Sequence, residues 1–252
     1  MTNWRLLFIG LIGCTSAAAS EPELITRAAV QYPIRALDRG IEGWVELSFT
    51  VKADGAASNV TVTASYPGDV FNKAAVSAVT RSIYASATAD RPGQTRRILF
   101  SLLHNGTARS AITAKLDTAM TAVRDKQLPQ ADTVLKEFEK NDELTLVEYA
   151  FLERVRGTRR FVGGDYANAA SSFDRLLDII GPTLSASATA DIQRLLVMAR
   201  VNAGQFAQAM ADFDRFELAA KPQGADLAPT MAAIRSALAS GQPLNLKTLP
   251  PP

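Results

Sequence analysis

The sequence predicts an α+β protein in two parts. A small domain with a three-stranded antiparallel sheet and two helices is followed by an all-α domain of helical repeats. Three observations carry this. Residues 45–51 alternate apolar with polar, the period of a half-buried strand. From residue 111 onward the chain turns alanine-rich with apolar residues at helical spacing. One apolar frame recurs three times with the same internal offsets of 0, 3, 7 and 10. The boundaries read as a signal or lipoprotein signal at 1–20, the sheet domain at 21–106, the helical domain at 111–240 and a mobile tail at 241–252.

Within the first domain, 21–31 is a lead-in and Pro33 opens a helical turn, where its missing N–H costs nothing. Gly40 ends that turn at a position suited to a left-handed cap. Val45, Leu47, Phe49 and Val51 form the apolar face of the first strand. Asp54-Gly55 is a hairpin turn signal, and Val60, Val62 and Ala64 alternate back along a second strand. Pro67-Gly68-Asp69 breaks that strand. Phe71, Ala75, Ala78 and Val79 then predict a helix over 72–83 with those residues inward. After a polar loop holding Pro92-Gly93, residues 97–103 read as the third strand, with Ile98, Phe100 and Leu102 on one face.

This order, helix, hairpin, helix and strand, resembles the C-terminal domain of TonB, the energy transducer of Gram-negative outer-membrane transport. The residues that carry the resemblance are Tyr32-Pro33, Gly40, Glu42-Gly43, the alternation to Val51, Asp54-Gly55, Phe71 with Ala74 and Ala75, Tyr84, and Ile98 through Leu102. The resemblance implies a domain that binds a short peptide of an outer-membrane transporter or another envelope protein. The peptide would add a strand beside the last one, at Arg97, Ile98, Leu99, Phe100, Ser101 and Leu102. Read without the resemblance, Arg96 and Arg97 are charges that guard a sheet edge against aggregation.

Three departures from the family pattern shift the reading from energy transducer to interaction module. Ala28, Ala29 and Val30 stand where the family carries polar residues ahead of Tyr-Pro. No Pro-rich spacer is present; the 18 residues from Cys14 to Tyr32 reach at most about 65 Å when fully extended. The N-terminal segment holds no ionisable residue after Arg5. An energy transducer coupled to the proton-motive force, with this segment kept as a membrane anchor, is the alternative.

That segment has one positive residue, a short apolar run at 6–13 and small residues at 17–20, the pattern of an export signal. Leu11-Ile12-Gly13-Cys14 also resembles a bacterial lipobox, which makes Cys14 a candidate lipidation residue; otherwise Cys14 belongs to a peptide that is removed. Both readings place the protein in the periplasm of a Gram-negative bacterium.

In the second part the recurring frames are Leu128, Ala131, Leu135, Phe138; Tyr166, Ala169, Phe173, Leu176; and Phe206, Ala209, Phe213, Phe216. Gly164-Asp165 and Gly204-Gln205 precede the last two. The pattern resembles the tetratricopeptide repeat, with a longer period. It predicts helix pairs at 111–126 with 129–141, 143–161 with 166–180, and 190–203 with 206–218, then a capping helix at 231–238. The resemblance implies protein binding on the concave helical face, by a second partner.

The net charge of +2 argues against a nucleic-acid surface. His104, the single histidine, cannot assemble a zinc site alone and belongs to a turn. No Ser elbow or Gly-rich phosphate loop occurs, so no catalytic residue, metal or cofactor is assigned and the protein reads as a non-enzyme. Glu137, Glu139, Asp142 and Glu143 read as a solvated loop, and Arg154, Arg156, Arg159 and Arg160 as a solvated helix face.

Overall fold

A computed structural model describes residues 23–102, 108–138, 144–220 and 227–246. The first part contains β1 (Leu24–Thr26), α1 (Ile34–Asp38), β2 (Gly43–Val51), β3 (Ala57–Tyr66), α2 (Asn72–Thr80), β4 (Ile83–Tyr84) and β5 (Arg91–Phe100). The main sheet is antiparallel in the order β3-β2-β5, and β1 pairs with β4 in a separate two-stranded sheet. That second sheet escaped the sequence reading. Its strands have three and two residues, too few for a period to register.

The alternation in β2 works as expected. Val45, Leu47, Phe49 and Val51 are all buried, and Phe71, Ala75, Ala78 and Val79 pack against them from the α2 side. Burying four such strand side chains stabilises by roughly 1.5–3 kcal/mol each. Tyr32 explains the Tyr-Pro dipeptide. Its hydroxyl donates to the Ile41 carbonyl at 2.5 Å, and its ring meets Phe71 and Phe100 edge-on. Burial, with Glu42 nearby, pushes that hydroxyl up to about 12. Gly43 is required by close approach, since a Cβ there would lie 2.1 Å from the Tyr66 carbonyl oxygen.

Two boundaries differ from expectation. The helix expected over 72–83 ends at Thr80, and Ile83-Tyr84 leave it to pair with β1. The third strand starts at Arg91, not at Arg97, and ends at Phe100. Pro92 and Gly93 lie inside it, where the register shifts between Phe49 and Val51 of the partner strand. Proline is tolerated there because β5 is an edge strand and needs no outward N–H. Leu102 has left the strand; its N–H donates to the Glu42 carboxylate at 2.9 Å.

The helical part comprises α3 (Ser110–Arg124), α4 (Leu128–Lys136), α5 (Leu146–Val162), α6 (Tyr166–Ile180), α7 (Ala186–Asn202), α8 (Phe206–Ala220) and α9 (Ala228–Ser240). The three pairs share one turn. Lys126, Gly164 and Gly204 are left-handed, with φ of 58°, 81° and 74°. The next N–H in each case bonds five residues back, Gln127 to Ala122, Asp165 to Arg160 and Gln205 to Arg200. Ala131, Ala169 and Ala209 are fully buried, which lets paired helices approach. Among the described residues, no helix is long and apolar enough to cross a membrane. The expected tail is packed at its start, because Leu244 is buried in the α6–α9 core. Residues 1–20 with Cys14, His104, Glu139, Asp142, Glu143 and the chain beyond 246 lie outside the described residues.

A candidate peptide site between the sheet edge and the helices

Successive side chains of β2 point to opposite faces. Opposite the apolar face stand Trp44, Glu46, Ser48 and Thr50. Trp44 is 3 % exposed, and it packs with Leu116, Leu135, Tyr149 and Leu152 of the helical part. Tyr66 joins it. The Tyr66 ring lies 4.3 Å from that of Tyr149, and its hydroxyl donates to the Leu144 carbonyl and accepts from the Leu144 N–H. The Glu42 carboxylate, which holds Leu102, also accepts from the Leu146 N–H at 3.1 Å. A negative charge is favourable there because Leu146 begins α5. The sheet and the repeats are thereby one packed unit.

Farther along this face the contact changes character. Arg97 of β5 stands opposite Glu46 and binds it at 2.6 Å. Across the gap it reaches Asp178 and lies 3.9 Å from Asp174, both on α6. Its guanidinium and that of Arg175 approach the Trp44 ring at 5.8 and 5.6 Å. Arg200 of α7 bridges Asp174, at 3.0 Å, and Asp212 of α8. Burial raises the Asp178 and Asp212 carboxyls despite the lowering by Arg97 and Arg200. Asp174 adds to the rise in both.

These groups enclose a cleft of about 780 Å³, within the range of ligand sites. One wall is the free edge of β5, at Thr95, Arg96, Arg97 and Leu99. The other is a polar stripe of α6, Ser171, Asp174, Arg175 and Asp178, with Gln208, Asp212 and Arg215 of α8. The spacings of 3, 4 and 7 within each helix place each stripe on one face.

Of the strand positions expected to meet a peptide, Arg97 and Leu99 line the cleft. Ile98 and Phe100 point the other way, into the sheet core. Ser101 follows the strand, and Leu102 is held by Glu42. The sequence reading missed the helical wall altogether. Its signal was the run of charged residues at 174, 175 and 178, on the face of α6 opposite the apolar frame, with Arg215 on α8.

The arginine cluster of α5 also needs correction. Arg156 binds Glu153 at 3.1 Å, Arg159 grips Asp132 at 2.6 and 2.5 Å, and Arg160 bonds Ser172 at 2.7 Å. Arg159 ties α5 to α4 and Arg160 ties it to the buried Ser172 of α6, while Arg156 pairs within α5 with the buried Glu153; Arg154 is exposed as expected. Burial would raise the Glu153 carboxyl, but Arg175 and Arg156 hold it below its ordinary value. Glu137 is the exposed partner of Lys115, at 2.6 Å.

Residues 28–102 match the family model of the Gram-negative bacterial TonB protein C-terminal. The chain is 35 % identical over 79 residues to Protein TonB of Klebsiella pneumoniae, covering 31 % of this chain and 31 % of that protein. It is 34 % identical over 94 residues to Protein TonB of Escherichia coli (strain K12), covering 36 % and 37 %. It thus spans about a third of the length of the curated relatives it matches. The solution NMR structure of the Pseudomonas aeruginosa TonB C-terminal domain aligns at 22 % identity, over 36 % of this chain and 95 % of that one, with a TM-score of 0.31. A TonB2 protein structure from Vibrio anguillarum aligns at 27 %, over 41 % and 99 %, with a TM-score of 0.29. The resemblance read from the motifs therefore holds for the sheet domain, and a helical domain follows it.

Proposed function

We propose that this protein is a TonB-type interaction module of the cell envelope, serving TonB-dependent transport by binding an extended peptide as an added strand on β5. The role is binding, not catalysis. The peptide comes from an outer-membrane transporter or another envelope protein, and the module works in the periplasm. The observation that carries the reading is the edge of β5: among the described residues only β2 pairs with it, on one side, and the other side opens onto the cleft. An edge strand presents unpaired N–H and C=O groups, which an extended chain satisfies without any particular side chain.

The family match supports the reading, since the matched residues include the whole of β5. Arg97, Leu99 and Thr95 line the bound chain on the side of the helices. The test is amide hydrogen exchange on the full chain, with synthetic peptides copying short peptide segments of outer-membrane transporters. Binding slows exchange at alternate amides within 91–100. If no such peptide slows exchange there, strand addition at β5 is wrong.

A further inference from the structure

We infer that the repeats are the second wall of the same peptide site, so that one extended, net-acidic peptide is held between β5 and the α6–α8 face. The inference rests on strand addition at β5 and goes beyond it. The motifs alone suggest two binding surfaces, a sheet edge for a peptide and a helical face for another partner. The fold brings the two together across a single cleft.

Consider a strand added to β5. Its side chains alternate between the two faces of the sheet. On the outer face they meet the polar stripes of α6 and α8, including the exposed Gln208 and Arg215. On the inner side they meet Arg96, Arg27 and the ring of Tyr84. A peptide in this position cannot touch the edge and avoid the helices.

The charge of the lining sets the peptide's chemistry. Six arginines face four carboxylates. Glu46, Asp174, Asp178 and Asp212 are already answered by Arg97, Arg200 and Arg215. Arg96 bonds only the Tyr84 hydroxyl, at 3.3 Å, and neither it nor Arg27 meets a carboxylate among the described residues. Arg97 is a second sign of an unfinished site. Its side chain is 10 % exposed, yet its Nε is buried without an acceptor. Buried donors of this kind ordinarily find partners. An acidic chain supplies carboxylates to Arg27 and Arg96, and a basic chain meets their repulsion.

The experiment uses two blocked heptapeptides on the full chain, one alternating valine with aspartate and one alternating valine with lysine. Affinity is read by titration and location by hydrogen exchange. The aspartate peptide slows exchange in β5 and binds at least about tenfold tighter than the lysine peptide, the worth of one charge-assisted contact. Arg215→Gln and Gln208→Glu lie on exposed positions of α8; in the first, Arg200 still pairs with Asp212, and each weakens the aspartate peptide about tenfold. Protection of β5 with both variants unaffected overturns the two-walled site and leaves strand addition standing. Equal or tighter binding of the lysine peptide overturns the acidic preference. No protection of β5 by either peptide, nor by the transporter peptides, removes strand addition and this inference with it.

Discussion

Trp44 and Arg97 lie on the same face of neighbouring strands, and both are covered by the helical domain. The Trp44 contact is aromatic and dry, closed by Tyr66, Tyr149 and the leucines of α3–α5. The Arg97 contact is ionic and open, and its partners Asp174 and Asp178 keep 38 % and 50 % of their side chains in solvent. Close-packed aromatic surface has few good arrangements and fixes two domains against each other. Ion pairs at a wet surface contribute little and tolerate rearrangement. The first contact therefore sets the geometry, and the second leaves room for a third party.

The strongest way to break this comparison is Trp44→Ala. It should cost about 3–5 kcal/mol, read as a fall in the urea midpoint, with sheet and helices unfolding less cooperatively. Trp44→Phe should recover most of the loss, because the indole Nε1 has no acceptor among the described residues and a phenyl ring keeps a packed face for Arg97 and Arg175. A Trp44→Ala protein as stable as the parent would show that the dry contact does not join the parts.

Glu153→Gln comes next. It leaves Arg156 and Arg175 facing each other without their buried carboxylate and should cost about 3 kcal/mol. The pH dependence has a definite sign. Burial opposes ionisation of Glu153 and Glu148, but arginine partners hold both below the ordinary glutamate value. That ordinary value is about 4.3. A depressed carboxyl contributes stability that is present above its unfolded value and lost as pH falls through the folded one. Acid denaturation profiles should show this limb in the parent and less of it in Glu153→Gln. Asp178 and Asp212 are raised and act in the opposite sense.

Lys126→Gly sharpens the comparison among repeats. Lys126 takes the left-handed position that Gly164 and Gly204 occupy in the other two turns. Relieving it should add about 1 kcal/mol of stability, read as a higher thermal midpoint. Arg97→Met should be the smallest effect, about 1 kcal/mol, because its partners Glu46, Asp174 and Asp178 all keep part of their carboxylates in solvent. The Asp178 carboxyl should rise further once Arg97 no longer lowers it, which NMR titration would detect.

The sheet domain was legible because its signals are local. Alternation from Val45 to Val51, the Asp54-Gly55 turn and the α2 frame each lie within a dozen residues. The helical part was legible because its apolar frame recurs at helical spacing. What escaped were short or relational features. β1 and β4 are too short to show a period, and Pro92-Gly93 reads as a loop until an edge position excuses it. The cleft joins residues 95–99 to residues 171–215, a pairing with no trace in sequence spacing.

The sequence by itself determined the longer strands and helices and which face of each is apolar, since those follow from periods of 2 and 3.6 along one chain. Only the tertiary structure decided that Trp44, on the nominally solvent face of β2, would be covered, and that Arg97 would stand opposite Asp178. Those outcomes depend on where one domain lands on another, and long-range contact carries no periodicity for the sequence to display.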